Sequence, residues 1–239
     1  MLGRFLELSV PTADIRASVE FYERLGFSHA ATGDIWNYPY GVVTDGRITL
    51  GLHQNVRREP AITFVRAGVA RHASELERVG YRIAYRRTGA EEFHEVGLRD
   101  PGGALVTVLE ARTYSPVDRR PEQLPHCGYF AELTLPQPNF AAAQRFWDPL
   151  GFVATEELAE PYTRQTLTSD HLDLAFHDRQ LLSRSALVYV DEDMGTRIAR
   201  LREAGLEPAE GLPSSLDPAD NALFESPEGT LFLLIRGST

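Results

Sequence analysis

Two pairs of residues in this chain have side chains able to move a proton or hold an ion: Glu7 with His53, and Glu132 with His177. A carboxylate and an imidazole converging in an apolar hollow can work as general acid and base. The same two groups are also a legitimate part of a ligand set for a divalent metal. Strand periodicity sets their directions. In Phe5–Val10, Leu6, Leu8 and Val10 make an apolar face, and Phe5, Glu7 and Ser9 point the other way. In the stretch ending at His53, Ile48, Leu50 and Leu52 oppose Thr49, Gly51 and His53. Farther on, Leu172, Leu174 and Phe176 oppose Asp173, Ala175 and His177. Glu7, Thr49, His53 and Thr107, and in the second half Glu132, Asp173 and His177, are therefore expected to line a partly polar hollow. Plainer readings stand beside this one. A strand-end histidine often caps or is exposed, and a strand glutamate can pair with an arginine at the rim of the hollow.

Aromatic residues add to the first set. Trp36, Tyr38 and Tyr40 alternate onto one face, although Pro39 between them can break a strand. Turned inward with Phe5, they would form a stacking platform for a flat ligand. Turned outward, they would be core or interface. The second half has only Phe130 and Tyr162 in comparable places, so the first half is the better-equipped candidate.

The elements that must position these residues repeat along the chain. FLELSVPTADIRASVEFYERLGF (Phe5 to Phe27) aligns without a gap on FAELTLPQPNFAAAQRFWDPLGF (Phe130 to Phe152), at an offset of 125. The offset drifts to 126 where DPGG (Asp100 to Gly103) meets SPEG (Ser226 to Gly229), and to 124 where His53 meets His177. Such a repeat is a duplication of a structural unit. In each copy a strand ends at proline, Asp14 or Asn139 suits a helix N-cap, and Gly26 or Gly151 suits the left-handed closing position. Each half restarts once more, at Ala61–Val65 and at Ser185–Val190. The chain thus divides into a first domain, 1–112, with modules at about 1–56 and 57–112, and a second domain, 126–239, with modules at about 126–182 and 183–239. A proline- and charge-rich linker, 113–125, joins them.

Composition narrows the partners. A net charge of −10 opposes binding to a phosphate backbone or an anionic membrane surface. Cys127 is the only cysteine, so no disulfide forms within the chain. The N-terminal stretch carries Arg4 and Glu7 among its apolar residues, unlike a signal peptide, and a cytoplasmic location is the expectation. No phosphate-cradling glycine loop, nucleophile elbow or spaced zinc set is present.

A helix ending FYERLGF and a last strand following DPGG resemble the modules of the vicinal-oxygen-chelate superfamily, which includes glyoxalases, bleomycin-resistance proteins and extradiol dioxygenases. The resemblance implies an α+β fold of four βαβββ modules, paired into two eight-stranded curved-sheet cups with helices on the outer face. Modules pair within a half, across halves or between chains, so a homodimer is open. Metal-dependent members carry ligands at the start of the first strand and on the last strand of each module. Those positions fall here on Phe5, Ala61, Phe130 and Ser185, and on Gly51, Thr107, Ala175 and Leu233, none of which is His, Gln, Glu or Asp. The resemblance then implies a glyoxalase/bleomycin-resistance-like protein without the usual metal ligands, binding a small, aromatic molecule in a cup. No cofactor is expected. Fe, Mn, Zn or Ni could bind only through non-standard ligands. The alternatives are a lyase, isomerase or dioxygenase using displaced ligands or a Glu/His acid–base pair, with Glu7 and His53 as catalytic candidates, and a structural or interaction protein with filled cups.

Overall fold

The computed structural model describes residues 1–30, 38–111, 120 and 122–238. Trp36 lies outside the described residues, as does most of the expected linker. The first half runs β1 (Arg4–Thr12), α1 (Ile15–Arg24), β2 (Ser28–His29), β3 (Tyr40–Thr44), β4 (Thr49–Gln54), β5 (Ala61–Arg66), α2 (Val69–Arg78), β6 (Ile83–Arg87), β7 (Glu95–Arg99) and β8 (Leu105–Glu110). The second half runs β9 (Tyr129–Gln137), α3 (Phe140–Trp147), β10 (Val153–Leu158), β11 (Arg164–Thr168), β12 (Leu174–Asp178), β13 (Ala186–Asp191), α4 (Met194–Glu203), β14 (Ala222–Glu225) and β15 (Leu231–Arg236). No helix among the described residues is long and apolar enough to cross a membrane.

The helix boundaries follow from local chemistry. The Asp14 side chain accepts from the backbone N–H groups of Arg16 and Ala17, and Asn139 accepts from that of Ala142, which satisfies donors left open at a helix start. After α1 and α3 the chain turns at Gly26 (φ 88°) and Gly151 (φ 106°), a conformation that costs an L side chain energy.

Each half forms one mixed sheet. The first has the order β2-β3-β4-β1-β5-β8-β7-β6, and the second β10-β11-β12-β9-β13-β15-β14. Within a module the first strand pairs in parallel with the last (β1 with β4, β9 with β12), and the two modules of a half join through antiparallel β1/β5 and β9/β13. The architecture is the expected α+β pair of open cups, with one correction: the second sheet has seven strands, not eight. The counterpart of β6 is missing because the segment 207–221 contains Pro208, Pro213 and Pro218, which cannot donate to a ladder. Leu212 and Leu216 from this segment pack instead into the second cup.

The helices cover the convex face of each sheet, as expected, and α1 and α3 also pack across the joint between the two halves. Tyr22 of α1 meets Phe232 of β15 at 5.9 Å between ring centroids, and Phe146 of α3 meets Tyr81 of the first half at 5.4 Å. One apolar core therefore spans both halves. Two carboxylates from equivalent hairpin turns latch it. Glu228 accepts from Ser18 and Tyr22 across the joint. In the other direction Asp100 accepts from Gln137 Nε2 and Trp147 Nε1, and from its own Ala104 backbone N–H. Removing the Asp100 carboxylate leaves these buried donors without an acceptor, so Asp100→Ala is expected to cost about 3 kcal/mol in urea unfolding at neutral pH. A loss under about 1 kcal/mol would mean that water replaces it.

The repeat preserves an interaction while exchanging its charges. Arg99 pairs with Glu59 and donates to the Gly103 carbonyl at 2.9 Å. At the equivalent place Arg184 pairs with Glu225 at 2.9 Å and donates to the Gly229 carbonyl at 3.0 Å. Each arginine ties a hairpin turn to the strand entry beside it.

Candidate functional site

The concave face of the first cup carries a connected set of polar groups, built by strand alternation. Glu7 and Ser9 project from β1, His53 from β4, Thr63 from β5 and Thr107 from β8, and all are buried. Glu7 Oε1 lies 2.6 Å from His53 Nε2 and accepts from Ser9 Oγ at 2.6 Å, while Tyr40 OH donates to Oε2. Ser9 Oγ is 2.7 Å from Thr63 Oγ1, which is 2.8 Å from Thr107 Oγ1. With the Ser9 hydrogen committed to Glu7, Thr63 donates to Ser9 and Thr107 to Thr63, so the hydroxyls are polarised toward one carboxylate. On the far side of the imidazole, Tyr38 OH stands 2.9 Å from His53 Nδ1.

Burial alone would push the Glu7 carboxyl up. The hydrogen bond and charge of His53, then the bonds from Ser9 and Tyr40, outweigh it and hold Glu7 below its ordinary value. An ionised Glu7 only accepts, so Nε2 carries the proton toward it. With Nε2 turned to Glu7, Nδ1 accepts from Tyr38 OH in a neutral ring and donates to the Tyr38 oxygen in a charged one. Burial also pushes the Tyr38 hydroxyl up to about 12, with Glu7 and Glu95 adding to that rise and Arg57 and Arg87 opposing it. The two ends of the cup are thus within electrostatic reach of each other.

Sequence reasoning missed the other end. Glu95 of β7 is buried, accepts from Tyr85 OH at 2.7 Å, and has Arg57 at 3.5 Å and Arg87 at 3.4 Å. Alternation could have found Glu95, which opposes Val96 and Leu98. It could not find Tyr85, because the register of β6 shifts between Ile83 and Tyr85 and turns the ring over Gly97. Two glycines make room for this filling. A Cβ at Gly97 would come 2.2 Å from the Tyr85 ring, and one at Gly51 would come 2.1 Å from Glu7 Oε2.

Phe5 and Phe130 do not face the cups as alternation predicted. Leu6 is an extra residue in β1 between Phe5, paired with Phe64, and Glu7, paired with Thr63. Ala131 is the equivalent extra residue in β9. One inserted residue reverses the facing of everything before it. Phe5 packs edge-on against Phe64 and Phe130 against Tyr189, both toward the core between the halves. Tyr38 and Tyr40 do reach the cup, with ring centroids 5.8 and 4.9 Å from that of His53. Thr49 lies on the same concave face, half-buried.

The second cup is different. Leu182, Leu216, Leu223, Leu231, Leu233 and Ile235 fill much of it. His177 is not paired with Glu132. Its Nε2 donates to the Leu182 carbonyl at 3.0 Å and its Nδ1 is 2.7 Å from Thr134 Oγ1, and burial lowers the imidazole to about 4, so the ring is neutral at pH 7. Glu132 faces Arg164 at 3.4 Å, the rim pairing that the plainer reading anticipated. Asp173 accepts from Thr168 at the edge of the sheet. Glu132 Oε1 and the Tyr162 hydroxyl are buried and make no hydrogen bond among the described residues. Burial raises Glu132 to about 7, opposed by Arg164 and aided by Asp173.

Neither cup fits an octahedral ion held in the usual places. Among the described residues no three His, Cys, Asp or Glu side chains converge to hold a metal. Thr107 is spent on Thr63, Leu233 belongs to the apolar filling, and the Glu7 carboxylate occupies the space into which a side chain at position 51 would project.

No family model matches the sequence, and no curated protein matches it. Solved structures do match. A 2,2',3-trihydroxybiphenyl 1,2-dioxygenase from Sphingomonas wittichii strain RW1 superposes with a TM-score of 0.61 at 15% identity, covering 99% of this chain and 91% of the other. The 2,3-dioxygenase LapB from Pseudomonas sp. KL28 gives 0.60 at 15%, covering 99% and 92%. A catechol 2,3-dioxygenase gives 0.54 at 17%, covering 98% and 88%. At these identities the likeness is one of fold. The chain shares the fold of these dioxygenase structures along nearly its whole length, as two mixed sheets, one in each half.

Proposed function

We propose that this protein binds a small, flat molecule in its first cup without a metal ion. The observation that carries this reading is the Glu7–His53 pair, closed over Gly51 and faced by two tyrosine rings. It offers aromatic surface and hydrogen-bonding groups together, as small-molecule sites do. The second cup supports no such role, because leucines fill it. The test is a calorimetric screen of flat aromatic compounds, with Tyr38→Ala and His53→Ala alongside. Binding in the wild type that weakens about tenfold or more in both variants is expected. Binding unchanged in both would move the site elsewhere.

A second reading has a specific observation behind it. The neighbours are named as dioxygenases, and Glu7 with His53 supplies two donors of a kind such an ion could use. The Tyr38–His53–Glu7 chain equally suits an acid–base lyase or isomerase. Elemental mass spectrometry after equilibration with Fe²⁺, Mn²⁺, Zn²⁺ and Ni²⁺ separates these. About one tight metal per chain, lost in Glu7→Ala and His53→Ala, would replace the metal-free reading with the dioxygenase one.

A further inference from the structure

The joint between the halves contains a cleft of about 210 Å³ that belongs to neither cup. Its walls come from repeat-related residues: Leu8 with Leu133, Pro60 with Ser185, and Ala104 with Thr230. It therefore lies where the two copies of the repeat meet. The walls are mainly apolar, and the cleft has one cation, Arg184. The Arg184 side chain is half exposed, which places it where the cleft meets solvent. Its Nη1 is committed to Glu225 and the Gly229 carbonyl. Its Nε and Nη2 make no hydrogen bond among the described residues.

Size and charge together define an occupant. A cavity of about 150 Å³ lined by apolar side chains takes up benzene, so this cleft holds one ring with a short substituent. A single guanidinium at the mouth selects a carboxylate for that substituent. We propose that the interdomain cleft is a second ligand site, for a small apolar acid of benzoate size, and that its occupant clamps the two halves together. The first half has glutamate, Glu59, where the second has Arg184. Arg99, the partner of Glu59 at the other end, and Arg179, which donates to the Gly102 carbonyl, do not line the cleft, so Arg184 is the cation that meets the ligand, which binds in one orientation. Leu8 lines the cleft from the opposite side of the strand that carries Glu7, so occupancy bears on the back of the first cup. The site does not depend on the first-cup reading.

The probe is benzoate, with neutral benzyl alcohol as the uncharged comparison, followed by calorimetry and thermal unfolding on the full chain. Benzoate is expected to bind the wild type and Tyr38→Ala equally and to raise the unfolding temperature of both. Arg184→Gln is expected to weaken benzoate about tenfold and to leave benzyl alcohol unchanged. Ala104→Leu, which fills the cleft, is expected to abolish both. Should Ala104→Leu fail to fold, the exposed Arg184 position still decides the matter. Benzoate that does not bind, that binds Arg184→Gln as tightly as the wild type, or that is lost in Tyr38→Ala, overturns the proposal. The last result would place benzoate in the first cup and would leave the first-cup reading intact.

Discussion

Gly51→Ala is expected to destabilise the native chain by about 2–4 kcal/mol and to be neutral or slightly stabilising once Glu7 is also alanine. The reversal has a specific cause. Gly51 lies in the interior of β4, where glycine costs about 0.5–1 kcal/mol relative to alanine. Taken alone, the substitution should help. The added methyl, however, would come 2.1 Å from Glu7 Oε2 and 2.2 Å from its carboxyl carbon. That carboxylate is not a free side-chain end able to swing away. His53, Ser9 and Tyr40 hold it, and moving it breaks bonds in a buried network. Glu7→Ala by itself is expected to cost about 3–5 kcal/mol, because it strands a buried imidazole and two hydroxyls. A double-mutant cycle in urea would read the coupling directly, with a value of about 2 kcal/mol or more expected. Additive costs, within about 0.5 kcal/mol, would mean that the carboxylate does not lie over position 51. The account of why that position carries no ligand would then fail.

The second large effect is a pH dependence with the opposite sign. Glu132 is raised from 4.5 to about 7, first by burial. Above its unfolded value the free chain ionises while the folded chain keeps its proton. Stability is therefore fully present below about pH 4.5 and is lost as pH rises to about 7. The loss above pH 7 is on the order of 3 kcal/mol for a shift of that size. Glu132→Gln removes the charge that the cup cannot solvate. At pH 8 it should stabilise the protein by about 2–3 kcal/mol, and at pH 4 it should change little. Arg164 loses its partner in this variant, but it is near the surface and can be hydrated. Glu7 behaves inversely. Its value is lowered on folding, so its contribution is present above the ordinary carboxylate range and disappears as pH falls through the folded value. Unfolding free energy measured from pH 4 to 8 in wild type and Glu132→Gln gives the test. Parallel curves would show that Glu132 ionises freely and that water reaches it.

Both expectations rest on features that differ in how far the residues alone disclose them. The duplication, the restart within each half, the caps at Asp14 and Asn139 and the polar faces of β1, β4 and β12 are local. Periods of two and 3.6 and turn chemistry at single positions encode them, so they were legible in the order of residues. The placement of Glu7 with His53 on one concave face came from the same rule applied to two neighbouring strands. What escaped that rule was decided by single inserted residues and by partners distant in the chain. The extra residues Leu6 and Ala131 carry Phe5 and Phe130 to the opposite face. Three prolines in the segment 207–221 remove a strand, and the segment's leucines enter the second cup. His177 follows the alternation that served His53, yet it is held by Thr134 and the Leu182 carbonyl rather than by Glu132. Glu95 gains its meaning only when β6 folds Tyr85 over Gly97. In a regular strand periodicity determines which way a side chain points; only the tertiary structure, by inserting bulges and bringing distant segments to the same few ångströms, determines where that rule breaks and what each side chain meets.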